Sequence, residues 1–571
     1  MNKKVLLSSV LISLFSISSC NSIEDSTSSS ANSNLSLDSN SSNDENTSSD
    51  SKATYVNVYP ISYQEVNHEK NMEKFYQETK NENGSSHDTP HEYGFVDSVW
   101  HKLKVNNVDV PVYSTRSGYG IHSFAWVDID TDGEFELDID LKLTTGNHSK
   151  VEVLPEKKGI KASISNRNVT SVINKYGDFS FVFDELPDMA LTLYVAEETK
   201  FELPQGYTLQ ELTPGKYDNT VEGLSTEFKN ENTAYYFKSG VYDITSINLP
   251  SNSIAYFERG TYFRIFEGFE NDYKMALSSA GSNVKILGRS LFDASKAMGG
   301  DAKTKGVYNF TGSNVYIEGI TTINSNTWTM CFTAADHCEI TKCMFFGYRT
   351  YSDGIMFSDC QDSYAHDNFV RTGDDAFECK AFSGTSEKTN NITFENNTAW
   401  TDKGIAYGCI YESVHDIENV FFKNNSVGFA QASWSNHLGC CVIQMGSMYQ
   451  QTWHDIYFEN MEIYSTSCAA ISVFNRALDE KQGGKIKNIY FKNINVKNTR
   501  LLNLPVYCIN IVISLAEGVS FRNATISNIY IDNVSYQGID ITKENYEEYT
   551  NISLSEDAMF SKSALKINTL G

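Results

Sequence analysis

The chain has 571 residues, with 46 Lys and Arg against 72 Asp and Glu, for a formal net charge of -26. That length exceeds one ordinary compact domain, so two or three domains or one long repeat array are expected. The acidity argues against nucleic acid as a partner and slows encounter with polyanions, while 13% aromatic residues and 9 prolines suit a strand-rich protein over a helical one.

Lys3 and Lys4 precede an apolar run from Val5 to Ile17, too short to span a bilayer but right for the apolar region of a signal peptide. The run ends in Ile17-Ser18-Ser19-Cys20, which resembles the bacterial lipobox. The resemblance implies residues 1–20 as a lipoprotein signal, Cys20 as the lipid-attachment site, and an extracellular, lipid-anchored protein at the bacterial cell surface. Residues 21–53 form a Ser/Asn/Asp tract with almost nothing apolar, which reads as a disordered tether. The anchor is the expected membrane contact, and a monomer is the expected state.

Residues 54–201 alternate apolar and polar positions in short runs such as HSFAWVDI, EFELDIDLKL and FSFVFDEL, separated by Gly/Asp/Asn turns. That is a β-sandwich pattern. Asp128, Asp130, Asp132 and Gly133 briefly resemble a calcium loop, but the twelfth position is Ile139 and strands flank it, so an acidic turn is expected. The expected role for this domain is to cap the open end of the repeat array on its C-terminal side.

Residues 202–571 carry a unit of the form N-[IV]-x-[FI]-x-N: SNVKILG from Ser282, SNVYIEG from Ser313, CEITKCM from Cys338, NITFENN from Asn391, ENVFFKN from Glu418, HDIYFEN from His454, KNIYFKN from Lys487 and SNIYIDN from Ser527. Short strands with Asn at the corners are what a parallel β-helix needs, each coil burying its inward residues on the next. Leucine-rich repeats would require Leu at fixed offsets and a helix in each repeat. The ten cysteines between Cys331 and Cys508 show no paired zinc spacing and sit among apolar strand residues, so they are expected as small core residues. Neither a metal nor a cofactor is called for.

Within the tightest coils lies YSDGIMFSDCQDSYAHDNFVRTGDDAFECKAF, from Tyr351 to Phe382. Asp353 precedes Asp374 by 21 residues, about one coil, so the two are expected on neighbouring rungs facing one cleft. Asp374 and Asp375 are adjacent, so a bend is needed to turn one out, and Gly373 is placed to supply the backbone freedom. Clustered carboxylates raise one proton affinity while others stay charged, the arrangement required for acid/base hydrolysis of a sugar linkage. Turn-capping or calcium-binding acids are the structural alternative.

The stretch NVYIEGITTINSNTWT, then SDGI, then GDDAFECK is similar in order and spacing to the core of the polygalacturonase family. The resemblance implies a right-handed parallel β-helix and an inverting glycoside hydrolase, with Asp374 as general acid and Asp353 with Asp375 as the pair that activates water. The family's GHG motif is replaced by DKGIAYG from Asp402, with Lys403 near the place of the His, and its Arg-x-Lys pair for a uronate has no counterpart. In its two-domain plan and in YFKSGVYDITSINLPSNS from Tyr236, the chain also resembles the dextranase and isopullulanase family, which implies a neutral α-glucan substrate. A pectin-type hydrolase and a non-catalytic carbohydrate-binding β-helix are the alternatives. Sugar faces stack on aromatics and sugar hydroxyls need polar partners, so the candidate substrate-binding residues are Trp328, Tyr348, Tyr351, Trp400, Lys403, Tyr407, Tyr411, Trp434 and His437. Arg371 and His366 flank the acids without an assigned role.

Overall fold

The computed structural model describes residues 55–61, 69–81, 90–118, 120–131, 133–217, 228–265, 275–297, 307–382, 388–410, 413–431, 441–447, 451–477, 484–499, 507–515, 525–554 and 560–570. Cys20, the tether, Tyr411, Trp434 and His437 lie outside them. Among the described residues the regular structure is almost wholly strand, first as a two-sheet sandwich and then as a right-handed parallel β-helix.

One sandwich sheet runs Val108–Val110, His101–Val105, Leu137–Leu143, Asn168–Ile173 and Ala162–Ser165. Its residues alternate, as in Leu137–Leu143, where every second side chain is buried and the rest face solvent. The other sheet centres on Gly120–Asp130, Leu186–Glu197 and Gly177–Phe183, and Gly177–Phe183 is buried throughout. A strand buried on both faces has two neighbours. On one side Ala125, Val127, Phe179, Phe181 and Leu193 pack against the first sheet, and on the other Phe124, Trp126, Val182 and Tyr194 pack against the β-helix.

That second contact corrects the capping role. Tyr262, Leu291, Ile323, Phe346, Phe369, Trp400, Phe429 and Tyr464, contributed by successive rungs, share one core with the sandwich, which therefore lies along the flank of the solenoid and not over its end. The helix Glu69–Asn81 belongs to this seam too. Its sequence spaces Met72, Phe75 and Tyr76 on one face, with Glu, Lys and Gln elsewhere. Phe75 is fully buried beneath the Arg116 guanidinium, 4.3 Å from its ring. Asp128 is not a calcium ligand. Arg289 grips both its oxygens at 2.9–3.2 Å and Tyr59 donates to one of them, while Asp130 pairs with Lys200.

The coil motif has a backbone cause. Both of its Asn positions adopt the left-handed conformation: Asn419 and Asn424, Asn488 and Asn493, Asn528 and Asn533 all lie at φ 50–55°. Asn tolerates that region and turns the strand there without a glycine. Their side chains then bond from rung to rung, as in Asn493 to Asn460 and Asn533 to Asn493, each at 2.8 Å. A buried ladder of Asn368, Asn397 and Asn425 does the same at an inner corner, each carboxamide oxygen accepting the backbone N–H of the preceding rung. Between corners the strands stack apolar side chains, with Phe394, Phe422, Phe458 and Phe491 parallel at 4.6–5.2 Å.

Candidate active site

Three consecutive rungs build the site: the strands Met330–Thr333, Ile355–Ser358 and Phe377–Lys380, paired in parallel with Met330 opposite Ile355 and Ile355 opposite Phe377. The ladder continues upstream, since Gly354 N–H donates to the Asp375 carbonyl at 2.8 Å and Thr329 N–H to the Asp353 carbonyl at 2.8 Å. Asp353 therefore stands level with Asp375 and not with Asp374, which lies one residue upstream of that register. Both aspartates of the GDD turn sit between the strands Phe369–Thr372 and Phe377–Lys380, outside regular pairing. There they escape the alternation that would send neighbours to opposite faces.

Side-chain hydrogen bonds help to hold the turn. Thr372 Oγ1 donates to the Asp374 carbonyl at 2.7 Å, Gly373 N–H donates to Ser352 Oγ at 3.2 Å, and Ile405 N–H donates to Asp375 Oδ1 at 2.8 Å. Gly373 acts by close approach and not by an unusual φ, because a β-carbon there would lie 2.7 Å from the Tyr348 carbonyl group.

Asp353 and Asp375 are buried while Asp374 is partly exposed. One oxygen from each of Asp353, Asp375 and Glu378 lies within 4.8 Å of the other two. Oxygens at that spacing are close enough to share a cation, and the cation placed beside them is the Lys380 ammonium, 3.2 Å from Glu378 and 3.7 Å from Asp353. Asp353 Oδ1 is buried without a hydrogen-bond partner among the described residues. Burial pushes the Asp353 carboxyl well above the usual range, Glu378 and Asp374 push it further, and Lys380 opposes them. Asp375 is raised in the same way by burial, Asp374 and Glu378, against Lys380 and the Ile405 N–H.

Sequence reasoning misses Glu378 and Lys380. Their signal is present in FECK: two positions apart on a strand, they share the face opposite Phe377 and Cys379, which lie in the coil core. Reading FECKAF as a core strand hides that second face.

Of the candidate sugar-binding residues, Trp328 lies at the site, with Lys380 Nζ 4.8 Å from its ring centroid, and is half-buried. Lys403 is half-buried on the next turn, and Tyr351 is exposed beside Asp353. Three others are corrected to packing roles, because full burial leaves no ring face for a sugar. Tyr407 stacks on Phe377 at 5.1 Å inside the coil, with its hydroxyl between the carbonyls of Asn397 and Ser426; Trp400 lies in the seam; Tyr348 is enclosed near His91. Arg371 also faces the seam, bidentate to Asp402 at 3.0 and 3.2 Å. His366 bridges Asp367 and Glu339, and those acids raise its pKa against the effect of burial.

Among solved structures, Dex49A from Penicillium minioluteum is similar over 84% of this chain and 96% of its own, with a TM-score of 0.60 at 14% identity. The chain has the Dex49A fold. A Yersinia enterocolitica family 28 exopolygalacturonase matches 76% of the chain and 96% of its own at 12% identity, with a TM-score of 0.44. The catalytic domain of a GH87 alpha-1,3-glucanase matches 83% and 86% at 13% identity, with a TM-score of 0.42. A family model described as NosD, a periplasmic copper-binding protein, matches residues 282–449, less than half of the chain. No curated protein matches the sequence.

Proposed function

We propose that this protein is an inverting glycoside hydrolase of an α-linked, neutral polysaccharide, with dextran-like α-glucan as the first substrate to try. The observation that carries the reading is the convergence of the Asp353 and Asp375 carboxylates within 4.8 Å beside the partly exposed Asp374. One water donating both protons at ordinary hydrogen-bond length spans acceptors about 4.6 Å apart. Asp353 and Asp375 thus suit a shared nucleophilic water, and the partly exposed Asp374 suits proton donation to the leaving oxygen.

The preference for a neutral sugar rests on charge. Asp353, Asp374, Asp375 and Glu378 set four carboxylates against the Lys380 ammonium, which is already engaged by Glu378 and Asp353. A uronate entering this cluster meets repulsion and, among the described residues, no committed cation fork. Trp328 offers the apolar face on which a sugar ring can lie. The same reading puts the protein at the bacterial cell surface through a lipid on Cys20, and Cys20→Ala should move it from the membrane to the soluble fraction.

The test is reducing-sugar release from dextran, pullulan and polygalacturonate, with the anomer of the first product followed by NMR. Hydrolysis of a neutral glucan with inversion is expected, unchanged by chelator. Asp374→Asn should lower turnover by about 10²–10⁴-fold. Wild-type turnover in that variant, or a retained anomer, overturns the assignment.

A further inference from the structure

Glu378 and Lys380 are a buried charge pair placed against the catalytic carboxylates, and the acid/base steps of hydrolysis do not use them. They arise from one strand, Phe377–Lys380, on its outward face. Directly below them, on Ile355–Ser358, the paired positions are Met356 and Ser358, and above Glu378 is Gly408, none of which carries charge. Among the described residues, the charged groups that act on Asp353 are those of the next rung: Glu378, Asp374, Lys380 and Asp375. From the rung beneath comes the uncharged Trp328, whose indole lies under the Lys380 ammonium. An ammonium enclosed this way has little freedom, and a fully buried glutamate 3.2 Å away fixes it further.

Resting on the hydrolase reading, we propose that Lys380 is a positioning residue, locked by Glu378, that supplies the internal counter-charge keeping the buried, water-binding Asp353–Asp375 pair ionised. Lys380 does not touch substrate in this role. It acts through Asp353 at 3.7 Å, and Glu378 both orients it and limits its effect by adding negative charge to the same cluster. The two side chains thus pull the base pair in opposite directions, and their balance sets the pH at which the water is activated. That opposition separates a tuning role from a merely structural one, which would make both truncations harmful in the same way.

The experiment uses the full chain with Lys380→Met, Glu378→Gln and the double variant, which removes both charges at nearly constant volume. On dextran, the acidic limb of the kcat/KM profile should move up by about one pH unit or more in Lys380→Met and down in Glu378→Gln, with the double variant between them and kcat affected more than KM. A second measurement needs no substrate. A buried carboxyl with a raised pKa stabilises the fold below its unfolded value, and that stabilisation is lost as pH rises through the folded value. In thermal melts between pH 4 and 9, the pH at which this loss levels off should move up in Lys380→Met and down in Glu378→Gln. Should Lys380→Met fail to fold, Glu378→Gln and the double variant still differ in the predicted direction. Shifts of the same sign, or none, in folded variants overturn the proposal. If the wild type hydrolyses no glucan, the hydrolase reading falls while the melts still decide whether the pair tunes the cluster.

Discussion

Asparagine has nearly the shape of aspartate but no charge to bury, so the cost of ionising Asp353 can be measured by removing it. Its carboxyl is raised by burial, then by Glu378 and Asp374, so the native protein holds that proton to higher pH than the unfolded chain does. The stabilisation this gives is complete below the unfolded value near 3.8 and disappears as pH rises through the folded one. Asp353→Asn should therefore melt about 1–3 °C above the wild type at pH 8, with the gap closing toward pH 4, while turnover is lost. Equal stability of the two proteins at every pH would show that Asp353 bears no such burden, and the site would lose the electrostatic stress expected of acid/base machinery. Asp374, partly exposed, is the contrasting position in the same turn.

At the scale of elements, what is legible in the sequence is what repeats. The Asn corners, the short strands and the carboxylates spaced by about one coil are periodic signals, and the first of these marks backbone conformations that Asn and Asp adopt at the corners. What is not legible depends on the third dimension. The sequence spacing of Asp353 and Asp374 suggests alignment of that pair, but turn geometry aligns Asp353 with Asp375 by a single residue. Trp400, Tyr407 and Tyr348 carry no local mark distinguishing a ring on the cleft from one inside the coil or the seam. The GDD turn, in addition, is shaped by the next rung. A β-carbon at Gly404 would lie 2.2 Å from the Asp374 carbonyl carbon and 2.5 Å from the Asp375 nitrogen, both backbone atoms that cannot swing aside. Gly404→Ala should displace both aspartates and lower kcat on dextran by about 10²-fold. Because the change is confined to a turn, the variant's melting temperature should fall far less than its activity. An alanine variant with full turnover would mean that the turn tolerates displacement and that its acids are not held for chemistry.

Across the whole molecule, the apolar seam between the sandwich and the solenoid also encloses a polar cluster, in which His122 is the group whose ordinary pKa lies near neutral pH. Arg371 is fully buried and can only donate, so its contact of 2.8 Å with His122 Nδ1 makes that nitrogen the acceptor. The proton of His122 then resides on Nε2 and is donated to Thr192 Oγ1 at 2.8 Å, while Asp402 takes the other guanidinium nitrogens and the Gly118 N–H. A protonated His122 would lose its acceptor and set a second cation against Arg371. Burial, then Arg371, accordingly holds its pKa well below the ordinary 6.5. Below pH 6.5 the unfolded chain takes up a proton at His122 that the folded protein refuses, so stability falls on acidification, by about 1.4 kcal/mol per pH unit for one such group. His122→Gln retains an acceptor for Arg371 and a donor for Thr192 but cannot titrate. Whatever its stability at pH 8, its decline between pH 6.5 and 5 should be shallower than that of the wild type in parallel denaturant titrations. Parallel declines would mean that His122 can accept a proton where it stands, and that the seam is looser than its buried Arg371–Asp402 pair implies.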